Sequence, residues 1–242
     1  MNLVIDIGNT QIKTAVFKDN TLYNKEIYSK DDFFNSIENI TKKYRIKHAI
    51  LSNVGEIENL KMLEINKLFD VLVLNSKTRL PFINNYKTPQ TLGVDRIALI
   101  AAAVDQFPNK NVLIFDAGSC ITYDFVNEKN EYLGGGISPG IEMRYKALNS
   151  YTANLPKLTL SNEIPEIGNS TENSIHFGVL NGIIQEIEGV INQFKVKNQK
   201  LTVVLTGGDT IYLAKNLKST IFANPNFLLE GLNSILIYNK YE

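Results

Sequence analysis

The chain has 242 residues, and its 25 lysines and arginines balance 25 aspartates and glutamates, so the formal net charge is zero. That balance argues against a dedicated binder of nucleic acid or of anionic membranes, which carries a basic excess. No apolar run is long enough to cross a bilayer, and no basic leader precedes the first apolar residues. Hydrophobic residues make up 44%, enough for a core in one large domain or in each of two small ones, and the single cysteine, Cys120, excludes an intrachain disulfide and points to a soluble cytoplasmic protein.

The first stretch, MNLVIDIGNTQIK, sets up a site. Leu3 to Ile5 form a short apolar, partly β-branched run typical of a buried strand. Asp6 stands where that strand ends, Gly8-Asn9-Thr10 supply a tight turn, and Gln11 to Phe17 predict a second strand. A hairpin with Asp-x-Gly-Asn-Thr at its bend can hold a nucleotide triphosphate. Gly8 lets backbone N–H groups approach phosphate oxygens, Thr10 adds a hydroxyl, Lys13 a point charge, and Asp6 a carboxylate for Mg²⁺, directly or through water. The alternative is an ordinary turn whose Asp and Asn cap their own backbone.

Further along, Thr21–Tyr28 predicts a third strand. Phe33, Phe34, Ile37, Ile40 and Tyr44 recur at near-helical spacing behind Ser29 or Asp31 as the cap. A strand at His48–Ser52, a helix over Ile57–Phe69 and a strand at Val71–Leu74 complete a mixed sheet with helices on its faces. Residues 75–91 form a polar connection with Pro81, Pro89 and Tyr86, a length that is often functional; Tyr86 otherwise serves as an aromatic anchor for the loop. Gly93-Val94-Asp95-Arg96 then opens the apolar helix Ile97–Val104. Asp95 is either a first-turn acid favoured by the helix dipole or a catalytic base, and Arg96 either a solvated charge or a planar fork for a carboxylate.

The second half begins with LIFDAGSCITYDFVNEKN, which repeats the pattern of LVIDIGNTQIKTAVFKDN. At a constant offset Asp6 matches Asp116, Gly8 matches Gly118, Val16 matches Val126 and Asn20 matches Asn130, as expected of a duplicated half. A third strand, Tyr132–Ile137, runs into Gly134-Gly135-Gly136, which either let a ligand approach the backbone or make a flexible turn. Helices follow at Ile141–Leu148 and Asn173–Phe194, the latter with an isoleucine and valine stripe and Thr171 as its N-cap. His48 and His176 read as structural. Thr206-Gly-Gly-Asp209 joins a strand to a helix, a corner suited to the adenosine end of a nucleotide. The last helix, from Asn226, is apolar enough to pack on the body or on a second subunit.

The two acidic bends resemble those of the superfamily of actin, sugar kinases and heat-shock chaperones. The ordered set Asp6-Ile-Gly-Asn-Thr-Gln-Ile-Lys13, Gly93-Val-Asp-Arg96, Asp116-Ala-Gly-Ser119, Gly135-Gly136-Ile-Ser-Pro-Gly140, Ser170-Thr171 and Thr206-Gly-Gly-Asp209 resembles, nearly end to end, the type III pantothenate kinases. The resemblance implies an α/β fold of two related ribonuclease-H-like halves, 1–108 and 109–242, each a mixed sheet flanked by helices, with ATP in a cleft between them. It implies phosphorylation of the primary hydroxyl of pantothenate, the first step of coenzyme A synthesis, by a cytoplasmic homodimer with no nucleic-acid or membrane partner. Asp6, Ile7, Gly8, Asn9, Thr10, Gln11, Ile12, Lys13 and Ser119 would bind ATP, and Asp6 also Mg²⁺. Asp95 would be the base; Tyr86, Gly93, Val94, Asp95, Arg96 and, from the partner subunit, Thr171 would hold pantothenate. Asp116 would bind K⁺ or NH₄⁺. Ser119-Cys120 departs from the family's Thr-Ala but keeps the hydroxyl, with Cys120 a point of oxidation sensitivity. A non-catalytic accessory protein of the same family, or another small-molecule kinase of the superfamily, are the rival readings.

Overall fold

The structure is a computed structural model and describes residues 1–8, 11–29, 33–53 and 68–240. The described chain separates into two compact units. The first comprises 1–108, 130–132 and 226–242, the second 109–129 and 133–225.

Unit 1 is built on a five-stranded sheet. Its strands are β1 (Asn2–Ile7), β2 (Ile12–Lys18), β3 (Thr21–Tyr28), β4 (His48–Asn53) and β5 (Asp70–Val73), in the order β3-β2-β1-β4-β5. β2 runs antiparallel to β1, and β4 parallel to it. The central β1 is buried along its whole length because both of its faces are covered. On one face lies α1 (Phe33–Lys43), whose Phe33, Ile37 and Ile40 form a buried stripe over Leu3, Ile5 and Ile7. Asp31 and most of the predicted helix at 57–69 lie outside the described residues.

The expected apolar helix is α2 (Val94–Gln106), buried without interruption from Arg96 to Ala103. A helix apolar all round needs cover on several sides. The C-terminal helix of unit 1, Phe227–Lys240, packs on it and on β1 and β4. A Cβ on Gly231 of that helix would stand 1.9 Å from Ala98 O, so the two helices cross closely enough to require glycine. This corrects the division at residue 108 in one respect: the last helix belongs with the first unit, not with the C-terminal half. Within the 75–91 connection, the two-residue strand β6 (Ile83–Asn84) pairs in parallel with Glu131 and Tyr132, and Pro89–Thr91 forms a 3₁₀ turn. Neither carries a sequence pattern long enough to read.

Unit 2 holds β7 (Asn111–Ala117), β8 (Cys120–Val126), all but the first two residues of β9 (Glu131–Pro139), β10 (Leu201–Thr206) and β11 (Phe222–Ala223), in the order β11-β10-β7-β8-β9. The helices are α3 (Ile141–Ser150), α4 (Thr171–His176), α5 (Gly182–Lys197) and α6 (Thr210–Asn216); the helix of unit 1 at Phe227–Lys240 is α7. The predicted stripe Ile175, Val179, Ile183, Ile187, Ile191 is buried. Between α4 and α5, Phe177–Asn181 is wound as a π-helix. A strict four-residue spacing outruns the α-helix by about 40° at each step. A π-turn, with more residues per turn, takes up part of that drift and keeps the stripe on the core. The N-cap of α4 is Ser170, whose Oγ accepts from Asn173 N at 3.2 Å, and not Thr171 as predicted.

The triple glycine is not a flexible turn. It lies inside β9, where a Cβ on Gly135 would stand 1.7 Å from Tyr123 O and one on Gly136 2.3 Å from the Tyr123 ring. These glycines let β9 lie against β8.

Candidate functional site

The Asp6 carboxylate is placed by β-sheet register. Asp6 lies directly across from Lys13 on β2 and from Ser52 on β4, and residues opposite each other share a face. The bend beyond it is closed by Gly8 N donating to Gln11 O at 3.0 Å. Asn9 and Thr10, predicted phosphate contacts, lie outside the described residues. Ile7 and Ile12 are a buried pair, so only their backbone is available to a ligand, whereas Gln11 is exposed.

Asp6 is 5% exposed. Burial raises its pKa from 3.8 to about 6; Lys13 opposes the rise, Asp95 adds to it, and Ser52 lowers it slightly. Ser52 itself is fully buried, and its Oγ has no partner of good hydrogen-bond geometry, in keeping with that small influence. The repulsion from Asp95 brings the predicted base and the predicted Mg²⁺ ligand into one electrostatic neighbourhood of unit 1.

Asp95 stands in the first turn of α2, behind the N-cap Gly93. Its Oδ1 accepts from Arg96 N at 2.8 Å, and a Cβ on Gly93 would fall 2.3 Å from that oxygen. Arg96 is buried, not solvated. Its Nη2 donates to Tyr132 OH at 2.9 Å, and its guanidinium lies 5.6 Å from the centre of the Tyr86 ring. Tyr86 stacks on Tyr132 at 5.8 Å, and its N–H donates to Asn84 Oδ1 at 3.0 Å. Thus Tyr86, Gly93, Val94, Asp95 and Arg96 come together in unit 1, and Tyr86 also anchors its loop. Tyr132 was missed: its contact with Arg96 spans 36 residues of sequence, and no local pattern announces it.

The second bend repeats the first with one residue fewer. Ile7 pairs with Ile12, leaving 8–11 in the bend, while Ala117 pairs with Ile121, leaving 118–120. Leu3 pairs with Val16 but Leu113 with Phe125, so the offset between copies is 110 before the bend and 109 after it. Val16 therefore corresponds to Phe125, not to Val126 as the constant offset had it. Asp116 faces Thr122 on β8 and Thr206 on β10, so Thr122 stands where Lys13 stands in the first copy. Thr122 Oγ1 is buried and has no hydrogen-bond partner among the described residues.

Around this bend the backbone is crowded. A Cβ on Gly207, at φ +96°, would meet Ala117 O at 2.3 Å and Asp116 Oδ1 at 2.4 Å; one on Gly140 would meet Gly118 O at 2.0 Å. Ser119 is exposed at the tip and Cys120 is half-buried. Elsewhere in unit 2, Thr171 is exposed and lines a mainly apolar cavity of about 760 Å³ with Arg144, Leu148 and Ile175. Because Ser170 makes the cap, the Thr171 hydroxyl is not used for it. His176 is structural: its Nδ1 lies 2.8 Å from the hydroxyl of Tyr145, whose pKa burial pushes up to about 12.

The type III pantothenate kinase family model matches residues 2–193. A type III pantothenate kinase of Christiangramia forsetii is 53% identical over 241 residues, 99% of each chain. Among solved structures, a conserved Baf family transcriptional activator from Campylobacter jejuni matches with a TM-score of 0.65 at 23% identity over 98% of both chains. Glucokinase from an Antarctic psychrotroph matches with a TM-score of 0.53 at 14% identity, again over 98% of both. At those identities the two structures speak for the fold alone, which is that of the sugar kinases. With the family model covering most of its length and a relative more than half identical from end to end, this chain belongs to the type III pantothenate kinase family.

Proposed function

We infer that this protein transfers the γ-phosphoryl group of ATP to the primary hydroxyl of pantothenate, the first step toward coenzyme A. Beside family membership, one observation carries the reading: Asp95, at the head of α2, shares the electrostatic surroundings of the buried Asp6 and accepts from the backbone N–H of Arg96. Asp95 accepts the proton of the attacking hydroxyl. Arg96, held by Tyr132 and Tyr86, presents a planar fork to the carboxylate of pantothenate. Gly93 and Val94 contribute backbone, and Thr171 contributes its hydroxyl from a second copy of the chain in a cytoplasmic homodimer. No helix among the described residues is long and apolar enough to cross a membrane.

The ATP phosphates are bound by the 6–13 bend with Lys13, and by Ser119 in unit 2. Mg²⁺ fits Asp6: a buried carboxylate repelled by a second one gains from a nearby cation. The described residues contain no group of three or more His, Cys, Asp or Glu side chains that could cage a metal, and Mg²⁺ in phosphoryl-transfer sites is ordinarily held by one or two carboxylates plus the phosphates. K⁺ or NH₄⁺ fits Asp116, where the unpartnered Thr122 Oγ1 offers a second oxygen. When bound, these cations neutralise charge on the phosphates; the chain's own residues position the hydroxyl and take its proton.

The test is purified protein with Mg-ATP and either pantothenate or a hexose, in K⁺ and then in Na⁺. Phosphopantothenate formed in K⁺ alone supports the reading. Turnover of the hexose, or none with either substrate, overturns it.

A further inference from the structure

At the end of unit 1's sheet opposite to Asp6 lies a cavity of about 740 Å³. It is bounded by the start of β1, the β2–β3 turn, the start of β4 and the end of α7. From Asn2 to Asp6 is four residues of strand, about 13 Å, so this is not the site described above. In a chain of zero net charge, its wall gathers Lys18, Lys47 and Lys240 against a single carboxylate, that of Asp19. Among the described residues none of the three lysines has a carboxylate within ion-pair distance. His48, also on the wall, faces Asp70 at 3.7 Å.

The wall is built, not loose. Lys240 Nζ donates to Asn2 Oδ1; Asn2 Nδ2 donates to Asn233 Oδ1 at 2.9 Å, and Asn233 Nδ2 to Asp19 O at 2.8 Å. Asn233 is 2% exposed. This relay of amides fixes the turn that carries Lys18 and Asp19, with Asp19 in the left-handed region at φ +52°. Two of the ammonium groups feel each other: burial lowers Lys240 to about 8, with Asp70 opposing the fall and Lys47 adding to it. Three like charges on one concave wall, with the carboxylate of Asp19 among them and that of Asp70 beside it, leave an excess that an anion offsets.

We propose that this cavity is a second binding site, for a compact anion bearing two or more negative charges, held by the ammonium groups of Lys18, Lys47 and Lys240 at the foot of the unit 1 sheet. Donors at the turn, the side chains of Asn20 and Thr21, complete its lining. The shared chemistry is the multiply charged head; phosphate and carboxylate forms are distinguished by the probe.

The test is NMR titration of the ¹⁵N-labelled full chain with pyrophosphate or with citrate, without Mg²⁺ or ATP. The amides of Asn20, Thr21 and Lys47 shift saturably with at least one of the two, and which one names the head group. The double variant Lys47→Met, Lys240→Met keeps the apolar stems and relieves repulsion. It binds about tenfold or more weakly at those amides, a loss of about 1.4 kcal/mol, while shifts at Gly8 from the phosphate site are unchanged. Should the double variant fold poorly, Lys18→Gln, at an exposed position, provides the same comparison. Absence of shifts at the three amides with both anions, or equal affinity in the variants, overturns the proposal.

Discussion

Asp6 lies directly across the β1–β2 pair from Lys13, yet Lys13 does not hold its carboxylate at an ordinary pKa: burial and Asp95 together outweigh the ammonium. A folded-state pKa of about 6 against 3.8 means that the folded chain binds this proton more tightly than the unfolded one. Without ligand, the contribution of Asp6 to stability is therefore greatest in acid, falls as pH rises from about 4 to about 6, and is flat above. Asp6→Asn removes that fall. We expect the variant to be more stable at neutral pH by on the order of 2–3 kcal/mol, and to lose stabilisation by Mg-ATP. Thermal melts between about pH 4 and pH 7, with and without Mg-ATP, check both parts.

Asp95→Asn keeps an oxygen that accepts from Arg96 N, so the head of α2 stays intact. The variant folds as the parent does and binds ATP, and kcat drops by about 10²–10⁴-fold. Turnover within a few-fold of the parent would remove Asp95 from proton transfer.

Gly93→Ala is a milder probe of the same group. The backbone at Gly93, φ −57° and ψ 136°, suits alanine, but the new methyl meets Asp95 Oδ1. A carboxylate at the end of a side chain can swing aside. The melting temperature hardly changes, while kcat falls on the order of 10–10²-fold through misplacement of the base. A large loss of stability with unchanged kcat in the surviving protein would contradict this.

Thr122→Val replaces a hydroxyl whose oxygen is buried without a partner. Removing it stabilises the cation-free protein by about 1 kcal/mol and abolishes the difference between melts in K⁺ and in Na⁺. An unchanged K⁺ effect would separate Thr122 from the cation.

Gly231→Ala tests packing alone. The methyl would meet Ala98 O and lie 3.1 Å from Ala102 Cβ, and backbone cannot yield as a side chain does. We expect a cost of about 1–3 kcal/mol, read from chemical denaturation, with KM for pantothenate unchanged in the folded fraction.

Much of this was legible in the sequence because local signals were strong. The strand at Thr21–Tyr28 lies where it was expected, and both hairpins follow from apolar runs ending in Asp-x-Gly. The buried stripe from Ile175 to Ile191 was read correctly, but its π-turn was hidden, because the same spacing reads as plain helix. α2 begins at Val94, three residues before the predicted start, since a glycine cap leaves no side-chain mark. Arg96 could not be recognised as buried, because what covers it comes from Tyr132 and from the loop at Tyr86, far apart in sequence. The packing role of two β9 glycines was hidden for a similar reason: what Gly135 and Gly136 make room for is Tyr123, on a neighbouring strand.

The second bend is one residue shorter than the first, yet both return strands keep the same position opposite the aspartate. At that position the first copy sets the ammonium of Lys13 opposite the acid, and the second the hydroxyl of Thr122. On the proposed function, the first pairing serves the phosphates of ATP and the second an alkali ion. Register is thus preserved while loop length is not, and what tells the two acids apart is the chemistry of the residue across the ladder.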